Sequence, residues 1–251
     1  MDKAYWDSME DRFGVDVLEI AREECGGHLR AEIAHLGGPR RSAADLGCGP
    51  GSLLPLLAEQ FAEVIAVDFS QPLLDRAADA HPLPNLRFVR HDLSRGGPVP
   101  FAVDAAICVN ALLSPSPGAR EAMLAAVHAA TKPGGAALVV VPAFESVFHV
   151  YHSLIRCRRR EGKPSGLDPK GADRLLRDEV ESFADGVVRL SGVPTKYWMR
   201  EELAAAMEDA GFAIERVRKI EYPWEEELEE PPAWLQTPNP WDWLVVARRP
   251  G

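Results

Sequence analysis

The stretch Ser42-Ala43-Ala44-Asp45-Leu46-Gly47-Cys48-Gly49-Pro50-Gly51 decides the fold. Its first half, 42–46, is a short apolar run that reads as a buried strand. Its second half is a glycine-rich bend, and an apolar segment of helical character follows over 53–61. Glycine lets a chain turn sharply and bring its backbone close to a ligand. A helix start behind such a bend leaves N–H groups without intrahelical partners. A nucleoside lying across the carboxyl ends of the strands is the expected occupant.

Working outward, strands are expected at 64–68, 85–89, 102–109 and 136–141. Ser70 is placed to cap a helix with Pro72 just inside it. A further helix is expected over 121–130, and Lys132-Pro133-Gly134-Gly135 reads as a turn. Strands alternating with helices at this pace, apolar along nearly their whole length, imply a doubly wound parallel α/β sheet with right-handed crossovers.

The rhythm breaks after Pro142. Residues 143–199 form an interval much longer than an ordinary connection, which implies an insertion over the carboxyl edge of the sheet. Phe148, Tyr151, His152 and Ile155 share one helical face, and Leu175, Leu176 and Val180 suggest a second helix. The α/β pattern resumes with a helix over 200–210, closed by Gly211, and a strand over 213–221. A Pro-rich acidic loop over 222–240 and a last strand over 243–247 follow, the two strands pairing as an antiparallel edge. Before residue 40 the pattern is helical: Leu18, Ala21 and Cys25 recur at helical spacing, as do Leu29, Ile33 and Leu36, with Gly26-Gly27 between the two sets. Residues 1–251 therefore read as a single domain, with 1–40 an N-terminal helical cap and 143–199 a helical lid.

Composition narrows the function. A hydrophobic content of 46% and a charged content of 26% fit a chain that buries its own core, which excludes a disordered one. The formal charge of -10 argues against a broad nucleic-acid surface or an anionic membrane surface, since both need a positive field. No apolar run approaches the roughly 20 residues of a membrane span, and the acidic, aromatic start lacks a secretory pattern. Cys25, Cys48, Cys108 and Cys157 include no C-x-x-C pair, so neither a zinc site nor a disulfide framework is expected. A cytoplasmic protein without a metal is the expectation.

The residues that carry chemistry fall at strand ends. Asp68 ends the second strand, where a carboxylate suits the vicinal diol of a ribose held above the glycine bend. Asp92 ends the third strand and either meets an adenine amino group or caps a loop. Asn110 ends the fourth, either where a reacting group would sit or as a turn residue. A dinucleotide fingerprint, G-x-G-x-x-G/A counted from Gly47, puts Ser52 at its last position, which argues against NAD.

Asp45 to Gly51, Asp68, Asp92-Leu93, Asn110 and Lys132-Pro133-Gly134-Gly135, in this order, resemble the class I S-adenosylmethionine-dependent methyltransferases. The resemblance covers most of 40–142 and resumes at 196–211. It implies a seven-stranded sheet of order 3-2-1-4-5-7-6 with strand 7 antiparallel. It also implies that Gly47, Cys48, Gly49 and Gly51 face the ribose and methionine part of the cofactor. Asp45 would help to hold the amino end, Asp68 the ribose hydroxyls, Phe69 the adenine, and Asp92 and Leu93 the adenine edge.

Methyl transfer demands alignment and exclusion of water, and needs a general base only where the nucleophile must lose a proton. Base candidates lie in the insertion: His149, His152 and Tyr151, each also readable as a solvated or packing side chain. Tyr5 and Trp6 read as a lid over the cofactor or as a hydrophobic anchor. Phe148 and Tyr197 are candidates for the acceptor pocket, although Tyr197 and Trp198 also suit core packing. Arg156, Arg158, Arg159 and Arg160 form a basic run that is either a solvated helix face or a contact for an anionic substrate or RNA. The expectation is methyl transfer from S-adenosylmethionine to O or N of a small organic molecule. Alternatives are an RNA or protein methyltransferase and a catalytically silent cofactor-binding module.

Overall fold

The computed structural model describes residues 24–97, 99–161, 168–190, 192–228 and 230–251. Tyr5, Trp6, Leu18 and Ala21, and with them most of the expected N-terminal cap, lie outside the described residues. The elements in chain order are α1 (His28–Leu36), β1 (Gly38–Leu46), α2 (Leu54–Gln60), β2 (Phe61–Asp68), α3 (Gln71–Ala80), β3 (Leu86–Arg90), β4 (Val103–Val109), α4 (Pro117–Ala130) and β5 (Thr131–Pro142). Then follow α5 (Phe144–Glu161), α6 (Pro169–Glu179), β6 (Val180–Ser182), β7 (Val187–Leu190), β8 (Val193–Lys196), α7 (Arg200–Asp209), β9 (Ala213–Glu221) and β10 (Trp241–Arg248).

Seven strands make one sheet in the order β3-β2-β1-β4-β5-β10-β9. The first five are parallel, and β10 runs antiparallel to both β5 and β9. This is the order expected, with β9 and β10 in the places of strands 6 and 7. Alternation along each strand feeds two cores. In β5, Leu138 and Val140 face the layer holding Leu29, Ile33, Leu54, Leu57 and Leu74, while Val139 and Val141 face the layer holding Leu124, Val127, Leu203 and Trp243. Each such aliphatic side chain, wholly removed from water, stabilises the fold by about 1.5–3 kcal/mol. Burial on both faces is why these strands show continuous apolar runs rather than alternation.

The differences from expectation have local causes. β1 starts at Gly38 rather than 42, because Gly38 pairs with Phe61 across a register shift although Arg40 and Arg41 are exposed. Phe61 buries its ring as the first residue of β2, which shortens the helix before it to seven residues. The Lys132–Gly135 turn lies within β5: Thr131 pairs with Val103, the register then shifts, and Ala136 pairs with Ala105.

The insertion is not purely helical. β6, β7 and β8 form a small antiparallel sheet after α5 and α6. Leu190-Ser191-Gly192-Val193 between two β-branched runs is a hairpin signal of the kind that marks such a turn. Buried cations anchor it to the main domain. Lys196 is 0% exposed, ion-pairs with Glu202 and donates to the Asp185 carbonyl, while Arg120 ion-pairs with the Asp185 carboxylate. Both cations lie over the Trp198 ring, and Phe144 donates its N–H to the Trp198 carbonyl. The Pro/Trp-rich segment packs against α5: Trp224 and Leu235 form a buried cluster with Cys157, and Trp234 lies under Arg156 and Arg160.

Candidate active site

The glycine bend is held to β2 by two N–H groups, Gly47 and Cys48, which both donate to the Val67 carbonyl. Gly47 has φ +83°, and a Cβ there would come 2.5 Å from the Cβ of Ala111. Gly51, at φ +92°, would place a Cβ 2.8 Å from Leu54 and 2.9 Å from His81. Positions 47 and 51 of the bend therefore fit between β4's end and α3 only without side chains.

Asp68 is 6% exposed at the end of β2. One carboxylate oxygen accepts from the Gly49 N–H at 3.0 Å and the other from the Ser70 N–H at 2.8 Å. The carboxylate is thus fixed against the bend. Asp45, at the end of β1, is 2% exposed, and burial, followed by the nearby Asp68 charge, pushes its pKa up to about 7. The same causes, burial first and then Asp45 and Asp68, push the Cys48 thiol well up.

An acid whose folded pKa is raised loses stability as pH rises. Below the ordinary carboxylate range both states hold the proton, and above about 7 the folded chain has lost the advantage of holding it. Asp45→Asn is therefore expected to gain about 1–4 kcal/mol relative to the parent between roughly pH 4 and pH 8. Urea unfolding at the two ends of that range checks this; a difference independent of pH would contradict it.

The ends of β3 and β4 complete the edge. The Nε2 of His91 and the Oδ1 of Asn110 are buried without a hydrogen-bond partner. Asn110 takes φ +49°, while its N–H donates to the Val140 carbonyl. Asp92 accepts from the N–H and hydroxyl of Ser94 and ion-pairs with Arg95, so its carboxylate caps the short turn at Leu93–Arg95. Leu93 is buried in the core, and the carbonyl of Phe69 accepts from Arg90.

The insertion residues are more dispersed. The Nε2 of His149 donates to the Pro238 carbonyl at 2.9 Å, and its ring lies beside Trp224 and Trp241. His152 is exposed, and Phe148 is exposed with its ring edge-on to Phe144. Tyr151 is buried and donates to Glu179 at 2.5 Å. Tyr197 packs beside Phe144, Val180 and Val188.

One group of residues has no place in the sequence reading. Asp242, in β10 opposite Pro142 at the end of β5, is 4% exposed and accepts hydrogen bonds from the Asn110 amide and the Ala143 N–H. Burial above all pushes its pKa up to about 7; the Asn110 bond opposes that and Glu227 adds to it. Tyr222 donates to Glu227 at 3.4 Å. The signal in the sequence was a lone carboxylate inside the otherwise buried run Trp241–Ala247, since an acid is almost never buried without a partner.

A nucleotide-type fold with its glycine bend, an acid fixed against that bend and vacant polar atoms at the strand ends defines a class. Residues 43–135 match the model of the methyltransferase domain family, so this part of the chain is similar to a methyltransferase domain. The chain is 35% identical over 166 residues to trans-aconitate 2-methyltransferase of Paracidovorax citrulli, covering 65% of this chain and 57% of that one. It is 37% identical over 134 residues to trans-aconitate 2-methyltransferase of Variovorax paradoxus, covering 52% and 49%. The chain thus spans about half the length of the curated relatives it matches. A solved S-adenosylmethionine-dependent methyltransferase from Mesorhizobium loti superposes with a TM-score of 0.60 at 25% identity, covering 88% of this chain and 96% of that one. No described helix is long and apolar enough to cross a membrane.

Proposed function

We propose that the chain transfers the methyl group of S-adenosylmethionine to O or N of a small organic molecule. The observation that carries this reading is the Asp68 carboxylate clamped to the Gly49 N–H, beside a bend that excludes side chains at Gly47. The residues fit the cofactor, because His91 Nε2 is a buried polar atom lacking a partner at the edge where it would lie. When bound, it supplies an activated methyl group on a sulfonium with a neutral leaving group.

The chain's own residues do the rest. Asp68 accepts the ribose hydroxyls, and the backbone of Gly47, Cys48, Gly49 and Gly51 approaches the sugar and methionine part. Asp45 orients the amino end. Phe69, His91 and the 92–93 segment bound the adenine. Asn110 stands beside the reacting centre. α5 and the 222–240 segment close over it, with Tyr151 and Tyr197 toward the acceptor, and so exclude water. Positioning of this kind lowers a barrier by roughly 7–11 kcal/mol in favourable cases.

The acidic net charge and the insertion favour an enclosed small-molecule pocket over an open nucleic-acid groove. Incubation with methyl-labelled cofactor and a metabolite extract is expected to move label into a low-molecular-weight product. Label in RNA or protein alone would contradict the acceptor class. Tight cofactor binding with no transfer at all would favour a silent binding module.

A further inference from the structure

An unbalanced anionic wall lies next to Asn110. Asp242 takes the Asn110 amide and the Ala143 N–H; Glu227 takes the Tyr222 hydroxyl; Glu179 takes the Tyr151 hydroxyl. The charges of Asp242, Glu227 and Glu179 all act on the Tyr197 phenol, and Tyr197 is tied to the same edge, because the next residue, Trp198, donates its N–H to the carbonyl of Pro142, opposite Asp242. Among the described residues no Lys, Arg or His lies within ion-pair distance of Asp242, Glu227 or Glu179. Glu227 keeps exposed surface, yet desolvation still raises its pKa.

Buried charge is ordinarily neutralised by a partner or a ligand. A second observation says what kind. The Oδ1 of Asn110 is shut off from solvent and accepts no hydrogen bond, while the Nδ2 of the same amide is spent on Asp242. The vacancy therefore asks for a donor. A carboxylate brings only acceptors and a negative charge, and would face an oxygen and three acids. An amine brings N–H donors and a positive charge.

We infer that the acceptor is a basic amine, held between Asn110 Oδ1 and the carboxylates of Asp242 and Glu227, so that the methyl group is received on nitrogen. This rests on the methyltransferase reading and narrows it, and it separates this chain from relatives whose name specifies a carboxylic acid. The chemistry balances. The ammonium form gives one proton to a carboxylate, which frees the nitrogen lone pair. The nitrogen then bonds the methyl carbon as the carbon–sulfur bond breaks, its electron pair staying on sulfur. Nitrogen ends as a methylammonium and sulfur as a neutral thioether.

The test is calorimetric titration of the full chain, saturated with S-adenosylhomocysteine, using matched pairs: benzylamine against benzoate, and phenethylamine against phenylacetate. The amines are expected to bind in preference to their carboxylates. Glu227→Gln, at an exposed position, is expected to weaken amine binding on the order of tenfold, with affinity for S-adenosylhomocysteine unchanged. Asp242→Asn is expected to do the same, and mass spectrometry of turnover mixtures to show N-methyl products. Equal or tighter binding of the carboxylates, no amine binding, or unchanged amine affinity in Glu227→Gln would overturn the inference alone. Failure of S-adenosylhomocysteine to bind would instead overturn the methyltransferase reading beneath it.

Discussion

Replacing Gly47 by valine is expected to abolish cofactor binding and to destabilise the chain by about 2–5 kcal/mol. Two independent effects add. A β-branched residue at φ +83° is strained wherever it sits, and here its Cβ would lie 2.5 Å from that of Ala111. Neither atom is the free end of a flexible side chain, so the bend or the end of β4 must move. Movement of the bend pulls the Gly47 and Cys48 N–H groups off the Val67 carbonyl and displaces Gly49 from Asp68. Against a total stability of roughly 5–15 kcal/mol, that is a large fraction. Urea unfolding, together with titration of S-adenosylhomocysteine into the folded fraction, checks both parts. A variant with parental stability and affinity would show that the space at Gly47 is not needed.

Removing the Asp68 carboxylate has the second largest expected effect. Asp68→Ala should weaken cofactor binding by about 1–3 kcal/mol, roughly 5–150-fold, because two ribose hydroxyls lose a charged acceptor. It also strands the Gly49 and Ser70 N–H groups in a buried site, so unfolding free energy should fall by about 1–3 kcal/mol. Asp68→Asn separates the two effects. Its carbonyl oxygen still accepts, but its amide nitrogen cannot, so one backbone donor is left unpaired and the charge is gone. Affinity should fall in both variants, and stability further in the alanine form. Parental affinity in both would remove Asp68 from the binding site.

The parallel part of the sheet was legible in the sequence because its signals are local. Apolar runs of strand length, each ended by Asp45, Asp68 or Asn110, alternate with helices, and the glycine bend marks where they must turn. β9 begins at Ala213 and ends at Glu221, as the pattern between Gly211 and the Pro-rich loop implied. What could not be read was decided by distant partners. Arg40 and Arg41 look like loop residues, and belong to β1 only because Gly38 meets Phe61. The β7–β8 hairpin had a turn signal, but strands of four residues carry too little alternation to stand out from a helical surrounding.

The same division runs through the site. Gly47, Gly49, Gly51 and Asp68 announce themselves because each needs a particular residue type at a fixed distance from a strand end. Asp92 had two readings, and its bonds to Ser94 and Arg95 show the carboxylate engaged as a cap. His149 was a candidate base, yet its ring nitrogen is engaged by Pro238, 89 residues away. Asp242 comes to Asn110 only because β10 runs antiparallel beside β5, which returns the start of the last strand to the carboxyl edge. No spacing rule links positions 110 and 242; the topology does.

The central claim is that the 47–51 bend and Asp68 together seat a sulfur-bearing nucleoside. Isothermal titration of the full chain with S-adenosylhomocysteine, run in parallel with NAD, addresses it most directly. Saturable binding of S-adenosylhomocysteine at a single site, lost in Gly47→Val and unaffected by excess NAD, is the predicted result. An absence of heat with S-adenosylhomocysteine, or its displacement by NAD, would contradict the claim.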